Sequence, residues 1–292
     1  MTILVTGATG SIGSQVVAEL TERGAQVRAF ARDPDRAAAL LGDEVELAVG
    51  DFADSDSVRR AMAGVDRVFL ACANAPAQVD YEIGAIEAAK AAGVQRLVKL
   101  SASAAAVDSP LLFPRWHGLI ERHLERSRLP AVRICPGFLM STLLMSPDAI
   151  RATGRLFAPA GRARIAMVHP RDVAAAAAVT LTEAGHDGAR YVLNGPRAIT
   201  YEEVAAHLAD ATGRPIEFVN VTDEAAEQAM LEGGVPPAVA EFLVRLFRAL
   251  RQGLDEKTSG TVRALTGAEP RGFAEFAREH AAAFGAAERV LT

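Results

Sequence analysis

Eight residues near the start of the chain, Thr6-Gly7-Ala8-Thr9-Gly10-Ser11-Ile12-Gly13, constrain the fold more than any other feature. They follow a short apolar run at 3–5. They open a stretch with helical apolar spacing at Ile12, Val16, Val17 and Leu20, which Gly24 stops. Between a strand and a helix, this glycine pattern reads as a phosphate-binding turn. Gly7 permits the tight turn, Gly10 lets backbone approach a pyrophosphate, and Gly13 lets the helix pack on the strand. Free N–H groups and the positive helix end then face the anion. A ligand-free glycine turn is the plainer alternative, and the units that follow argue against it.

Those units alternate. Strands are expected at 27–31, 45–49, 67–73, 97–100 and 131–135, with helices at 36–41, 55–63, 79–92 and 113–126 between them. Continuously apolar strands separated by amphipathic helices predict a parallel sheet covered on both faces, a doubly wound α/β Rossmann fold. A helix at 171–182 and a strand at 190–193 continue it. Helices at 201–212, 223–232 and 237–252, with one strand at 216–221, describe a smaller, mostly helical C-terminal lobe. The expected division is 1–136 with 170–195 as the nucleotide-binding domain, and 137–169 with 196–292 as the substrate lobe.

Length and composition agree with this reading. The 292 residues suffice for a large α/β domain with an attached lobe. Half are apolar and the net charge is −5, which disfavours nucleic acid as a partner. The longest apolar run, at 173–181, is well short of the roughly 18 residues a bilayer needs, and the start lacks a secretory leader pattern. The expectation is a soluble, cytoplasmic protein with no membrane partner. Cys72 and Cys135 sit in apolar runs and read as inert buried thiols. The six histidines (117, 123, 169, 186, 207, 280) show neither HExxH nor close clustering with cysteine, so no metal is expected.

The second strand selects the nucleotide. Its end reads Ala31-Arg32-Asp33, with Arg32 19 positions beyond Gly13, near the usual distance of about 20. A guanidinium there suits a 2′-phosphate, so NADPH is preferred over NADH. The alternative is an exposed arginine paired with Asp33 or Asp35. Asp51 and Phe52, closing the third strand, either flank an adenine or serve the helix that follows.

The segments TGATGSIG, RAFARDP, GDFAD, HGLIERHL, RICPGFLMSTLL, HPRDVAAAAA and YVLNGPRAITYEEVAAHL, in this order, resemble the NmrA-like group of atypical short-chain dehydrogenases/reductases. The resemblance runs from 2 to about 284. It implies a Rossmann domain, a small substrate lobe and usually NADPH. The group includes type 2 quinone oxidoreductases, triphenylmethane-dye reductases, enone and ether reductases, and dinucleotide-binding regulators. By position, it implies that Gly7, Thr9, Gly10, Ser11, Ile12 and Gly13 hold the diphosphate and Arg32 the 2′-phosphate. Asp51 and Phe52 would flank adenine, and Ala71 and Ala73 would line the ribose. Ser101, Pro136, Gly137 and Phe138 would lie near the nicotinamide.

The Tyr-x-x-x-Lys pair of the wider superfamily is missing. The aligned positions hold Phe113 and His117, and none of the three lysines has tyrosine four positions before it. Without that acid, the preferred acceptor is a small planar aromatic or quinone-like molecule, whose reduction yields a weakly basic, delocalised anion. His117 and Ser101 are the candidate catalytic residues. Glu121, one turn on, is expected to pair with His117; Lys99 is expected to be an exposed strand-end lysine, with reach to the ribose as the alternative. Phe113, Trp116, Phe138, Met140, Met145 and Met167 are candidate substrate contacts, with core packing as the alternative for each. The apolar stripe Phe242, Leu246, Phe247 and Leu250 suits a pocket cover, lobe packing or a homodimer contact. Two other functions stay open: a redox sensor binding NADP(H) without turnover, and a secondary-metabolite enone, ketone or imine reductase using His117 as proton donor.

Overall fold

A computed structural model describes residues 1–42, 44–145 and 147–285. The expected lobe residues 286–292 lie outside this range. In chain order the first elements are β1 (Thr2–Val5), α1 (Gly13–Glu22), β2 (Gln26–Ala31), α2 (Pro34–Leu41), β3 (Glu46–Val49) and α3 (Ser55–Met62). Next come β4 (Arg67–Leu70), α4 (Gln78–Ala91), β5 (Arg96–Leu100), α5 (Leu112–Ser127) and β6 (Ala131–Pro136). A 3₁₀ turn (Met140–Met145) precedes α6 (Pro147–Thr153), β7 (Arg155–Ala158), α7 (Pro170–Thr182) and β8 (Arg190–Leu193). The chain continues with α8 (Tyr201–Thr212), β9 (Glu217–Asn220), α9 (Asp223–Glu232), α10 (Pro237–Arg251), α11 (Thr261–Thr266) and α12 (Phe273–Glu279).

Two compact units result. The first comprises Met1–Pro136, Pro170–Leu193 and Thr261–Ala268. Its seven strands run in the order β3-β2-β1-β4-β5-β6-β8, and every neighbouring pair is parallel. The order reverses between β1 and β4, the switch point where open α/β sheets bind ligands beyond their carboxyl ends. Ile3, Leu4, Val5, Val68, Phe69, Leu70, Leu97 and Val98 are fully buried, as strands covered on both faces require. Over one face, Ala85 and Ile86 of α4 and Ile120 and Leu124 of α5 join Leu4, Val68, Leu70 and Leu97 in a single core cluster. Over the other, α1 packs on α7, whose run of alanines permits close approach. Arg96 donates to the terminal carbonyls of α7 at Thr180 (3.0 Å) and Glu183. These groups would otherwise be orphaned at the helix end.

β4 stops at Leu70, three residues sooner than its apolar run suggests. Thr6 is the reason. Its hydroxyl donates toward the carbonyls of Phe69 and Ala71 and accepts the Ala71 N–H at 2.9 Å, diverting 71–73 from the ladder. Thr261–Ala268, expected in the lobe, belongs to the sheet unit, where α11 contacts α7 and β8.

The second unit comprises Gly137–His169, Asn194–Gly260 and Glu269–Thr292. Its core gathers Phe138, Met140, Met167, Tyr201, Leu208, Leu250 and Phe276. β9 pairs in parallel with β7, a strand not expected from the sequence. α8 begins with a full capping box, Thr200 and Glu203 each bonding the other's backbone. The stripe on α10 turns into this core: Leu250 is buried, and the Phe247 ring lies 6.3 Å from Phe138 and 5.6 Å from Tyr201. No described helix is long and apolar enough to cross a membrane.

Candidate functional site

The turn after β1 has the geometry its glycines predict. Gly7 has φ +61°, a left-handed conformation that side-chain-bearing residues rarely adopt, and a Cβ there would lie 2.9 Å from the Ala71 carbonyl. A Cβ on Gly13 would overlap the Gly7 carbonyl oxygen. Gly10 is exposed, and its Cβ would meet only that oxygen, at 3.2 Å. Gly10 is therefore glycine less for the fold than for whatever approaches from outside.

The Gly10 N–H bonds the Gly7 carbonyl at 2.9 Å, which closes the turn. The amides of Thr9, Ser11, Ile12 and Gly13 donate to no protein group among the described residues. Ile12 at the N-cap offers no side-chain acceptor, and no acidic residue occupies the first turn of α1. Four free donors and an uncapped helix dipole thus lie at one open turn, which suits a diphosphate. Thr9 is half-buried and Ser11 exposed, while Ile12 and Gly13 lie buried behind them at the start of α1.

Around it, Arg32 is 79% exposed and makes only a loose 3.9 Å approach to Asp51 Oδ2. Asp33 is not its partner. Its carboxylate caps α2, accepting the Arg36 N–H at 3.0 Å. This holds the Asp33 carboxylate at the start of α2 through Oδ1. Asp51 accepts the Ala53 N–H at 2.9 Å, and Asp54, not Asp51, caps α3. The Phe52 ring stands edge-on to Phe30 at 5.5 Å and stacks at 6.3 Å on Tyr81. Ala71 is buried beneath the turn and Ala73 exposed beyond it.

The helix α5 holds the largest surprise. Lys99 is not an exposed strand-end lysine: it is completely buried and ion-paired with Glu82, also completely buried, at 2.7 Å. Its Nζ also donates to the Leu100 carbonyl and stands 3.2 Å from His117 Nδ1. Gln78 steadies the other Glu82 oxygen, donating from Nε2 at 3.0 Å. Burial raises the Glu82 pKa, while Lys99 and Gln78 hold it down. The His117–Glu121 pair expected from helical spacing does not form. Glu121 turns instead toward Arg190 Nε, at 3.5 Å, and accepts the Ser101 hydroxyl. Arg190 pins the same loop through the carbonyls of Ala102 (3.1 Å) and Ser103 (3.0 Å). Burial and the nearby Lys99 charge hold His117 well below the usual histidine range, so it is neutral at physiological pH. The ordinary value of about 6.5, expected to suit proton transfer, does not apply.

Phe113 and Trp116 are half-buried with ring centroids 5.3 Å apart. Phe138, Met140 and Met167 lie in the core of the second unit, and Met145 is 60% exposed. Met140 and Met167 also line a small cavity there with Ile199, His207 and Phe273. Pro136 ends β6, its carbonyl accepting the Ser103 N–H at 2.9 Å. Gly137 packs against Asn194 and Asp255, so that a Cβ would lie 2.8 Å from the Asn194 amide nitrogen. Both thiols are pushed up by burial, Cys72 to about 11 and Cys135 to about 12, out of the reactive range. Among the described residues, no group of three or more His, Cys, Asp or Glu side chains is placed to hold a metal ion.

Residues 1–277 match the model of the NmrA-like family. The chain belongs to that family. It is 39% identical to the NAD(P)H azoreductase of Xenophilus azovorans, over 98% of this chain and all of the relative. It is 40% identical to the (4-alkanoyl-5-oxo-2,5-dihydrofuran-3-yl)methyl phosphate reductase of Streptomyces griseus, over 97% and 99%. The NADPH complex of a quinone oxidoreductase from Escherichia coli superposes with a TM-score of 0.86 at 29% identity, covering 96% of this chain and 99% of that one. This member of the NmrA-like family is an oxidoreductase of the NAD(P)-binding type.

Proposed function

We propose that the protein is an NADPH-dependent reductase of quinones or related conjugated acceptors. One observation carries the reading: four free amides at the turn, with Arg32 exposed beyond β2 and Asp33 drawn to the start of α2 as its cap. Thr9, Ser11, Ile12 and Gly13 would hold the diphosphate. Arg32 would pair with the 2′-phosphate, swinging away from Asp51. Phe52 and Asp51 would border the adenine. The azoreductase, the dihydrofuranone reductase and the quinone oxidoreductase named above all take conjugated acceptors, which supports the class but not one member of it.

Bound NADPH supplies hydride. The chain's own part is to orient the reactants and steady the developing charge. The Ser101 hydroxyl donates its hydrogen bond to Glu121 and so can only accept from a ligand, which suits a carboxamide N–H of the nicotinamide better than a substrate oxygen. His117, being neutral, does not deliver a proton at physiological pH. The acceptor's anion must therefore be stable enough to take its proton from water, as hydroquinone and enolate anions are. Phe113 and Trp116 offer an aromatic surface for a flat acceptor. The role of the second unit as substrate lobe, with Phe138, Met140, Met145 and Met167, is part of the same proposal.

A panel of naphthoquinones, enones, azo dyes and simple ketones, followed at the nicotinamide absorbance band, tests the reading. NADPH is expected to be consumed with conjugated acceptors and not with ketones. Tight NADPH binding with no turnover of any acceptor would instead make the protein a sensor. Replacing Arg32 by alanine is expected to weaken NADPH binding about 10- to 100-fold, the worth of a charge-assisted contact, and to leave NADH binding unchanged. Equal losses for both cofactors would remove Arg32 from the 2′-phosphate site.

A further inference from the structure

We propose that Lys99 is a positioning residue: wedged between Glu82 of α4 and His117 of α5, it fixes the His117 proton on Nε2 and aims that N–H at the acceptor's developing oxyanion. The inference rests on the reductase reading and gives that site its electrophile. An ammonium has three donors and no acceptor. Here the three are directed to Glu82 Oε2, the Leu100 carbonyl and His117 Nδ1. Nδ1 must then accept, and the ring carries its hydrogen on Nε2. His117 is only partly buried, and Nε2 has no protein partner among the described residues, nor is it sealed from solvent. The donor is thus open to a ligand, on the helix position where the wider superfamily has its lysine.

A neutral imidazole held this way polarises an oxygen without surrendering its proton. Reduction then balances simply. Hydride brings two electrons and one proton's worth of hydrogen to the quinone, water gives the second proton, and His117 leaves the step as it entered. The other charged or titratable groups nearby are Cys72 beyond β4, which feels both Lys99 and Glu82, Cys135 of β6, which feels Lys99 and Glu121, and Glu121 on α5, tied to Ser101 and to Arg190 of β8. Lys99 is the charged group acting on His117.

The test uses the full chain labelled with ¹⁵N in its imidazoles and saturated with NADP⁺, His117 being assigned by its loss in His117→Gln. In the wild type, the His117 ring is expected to show the neutral Nε2–H tautomer throughout about pH 5 to 8, without titrating. Lys99→Met alone strands a carboxylate in the core, so the informative variant is Lys99→Met/Glu82→Gln, which removes both charges and keeps an amide beside Gln78. There burial still disfavours the charged ring, but its pKa is expected to rise with the Lys99 charge gone, and the tautomer is expected to be mixed rather than fixed on Nε2. The kcat for a naphthoquinone is expected to fall at least tenfold and acquire a pH dependence, with the KM for NADPH unchanged. An Nδ1–H tautomer in the wild type, a wild-type titration near 6.5, or a double variant with wild-type kcat and pH profile would overturn the proposal. If the double variant does not fold, the wild-type spectra still decide the tautomer. A pinned ring in a protein that reduces none of the panel would sink the reductase reading and the oxyanion role together, leaving only the pinning.

Discussion

Gly13→Ala is expected to lower NADPH affinity by at least 100-fold. The first residue of α1 is buried, and an added methyl would overlap the Gly7 carbonyl oxygen, lie 2.7 Å from the Gly7 carbonyl carbon and 3.1 Å from the Ala8 Cα. All three atoms are backbone, so the turn itself must open. Opening it misdirects the four amides together, and a loss of that size corresponds to about 3 kcal/mol of binding. Overpacking also costs about 1–3 kcal/mol of stability. Gly10→Ala separates the two effects. Its methyl meets one oxygen at 3.2 Å on an exposed face, so the fold is expected to tolerate it while the diphosphate does not. Calorimetric titration beside thermal melts checks both variants. Unchanged affinity in Gly13→Ala would mean that the cofactor lies elsewhere.

Lys99→Met is expected to cost about 3–5 kcal/mol of folding stability, the penalty for leaving one charge of a buried pair alone. Lys99 and Glu82 are both fully buried, and among the described residues the other bond to the Glu82 carboxylate comes from Gln78. The chain would answer by protonating Glu82, whose pKa burial already raises. The sign follows. A carboxyl with a raised folded pKa favours folding below its unfolded value of about 4.5 and loses that advantage as pH rises through the folded pKa. With the counter-charge gone, this rise moves further up, so the deficit of Lys99→Met is expected to widen from mildly acid toward neutral pH. Adding Glu82→Gln should recover most of it, because two uncharged side chains of similar volume need no ion pair. Urea unfolding of the wild type, single and double variants at two pH values measures this. A single variant within about 1 kcal/mol of wild type would show that Lys99 and Glu82 do not depend on each other.

Much of this was legible in the residues because local rules and the global fold agree. The glycine turn, the apolar strands and the amphipathic helices each follow from spacing, and together they specify the doubly wound sheet. Arg32 could be singled out by its distance from Gly13. That Asp33 is a helix cap was also within reach, since Asp-Pro before a short helix is an N-terminal signature. Lys99 was not. Lysine near a strand end is ordinarily exposed, and nothing local announces that Glu82, 17 positions away on another element, sits opposite it. Helical spacing correctly placed His117 and Glu121 one turn apart, yet each found a partner from a different strand: Lys99 on β5 and Arg190 on β8. Tertiary charges decided between partners that periodicity could not rank. β7 escaped notice for a similar reason. With four residues and one neighbour, it is a strand only because β9 lies beside it.

The most direct measurement is a calorimetric titration of the wild-type protein with NADPH and, separately, with NADH. One site per chain is expected, binding NADPH at least tenfold more tightly than NADH, the margin that Arg32 supplies against a 2′-phosphate. Equal affinity for the two, or tighter binding of NADH, would contradict it.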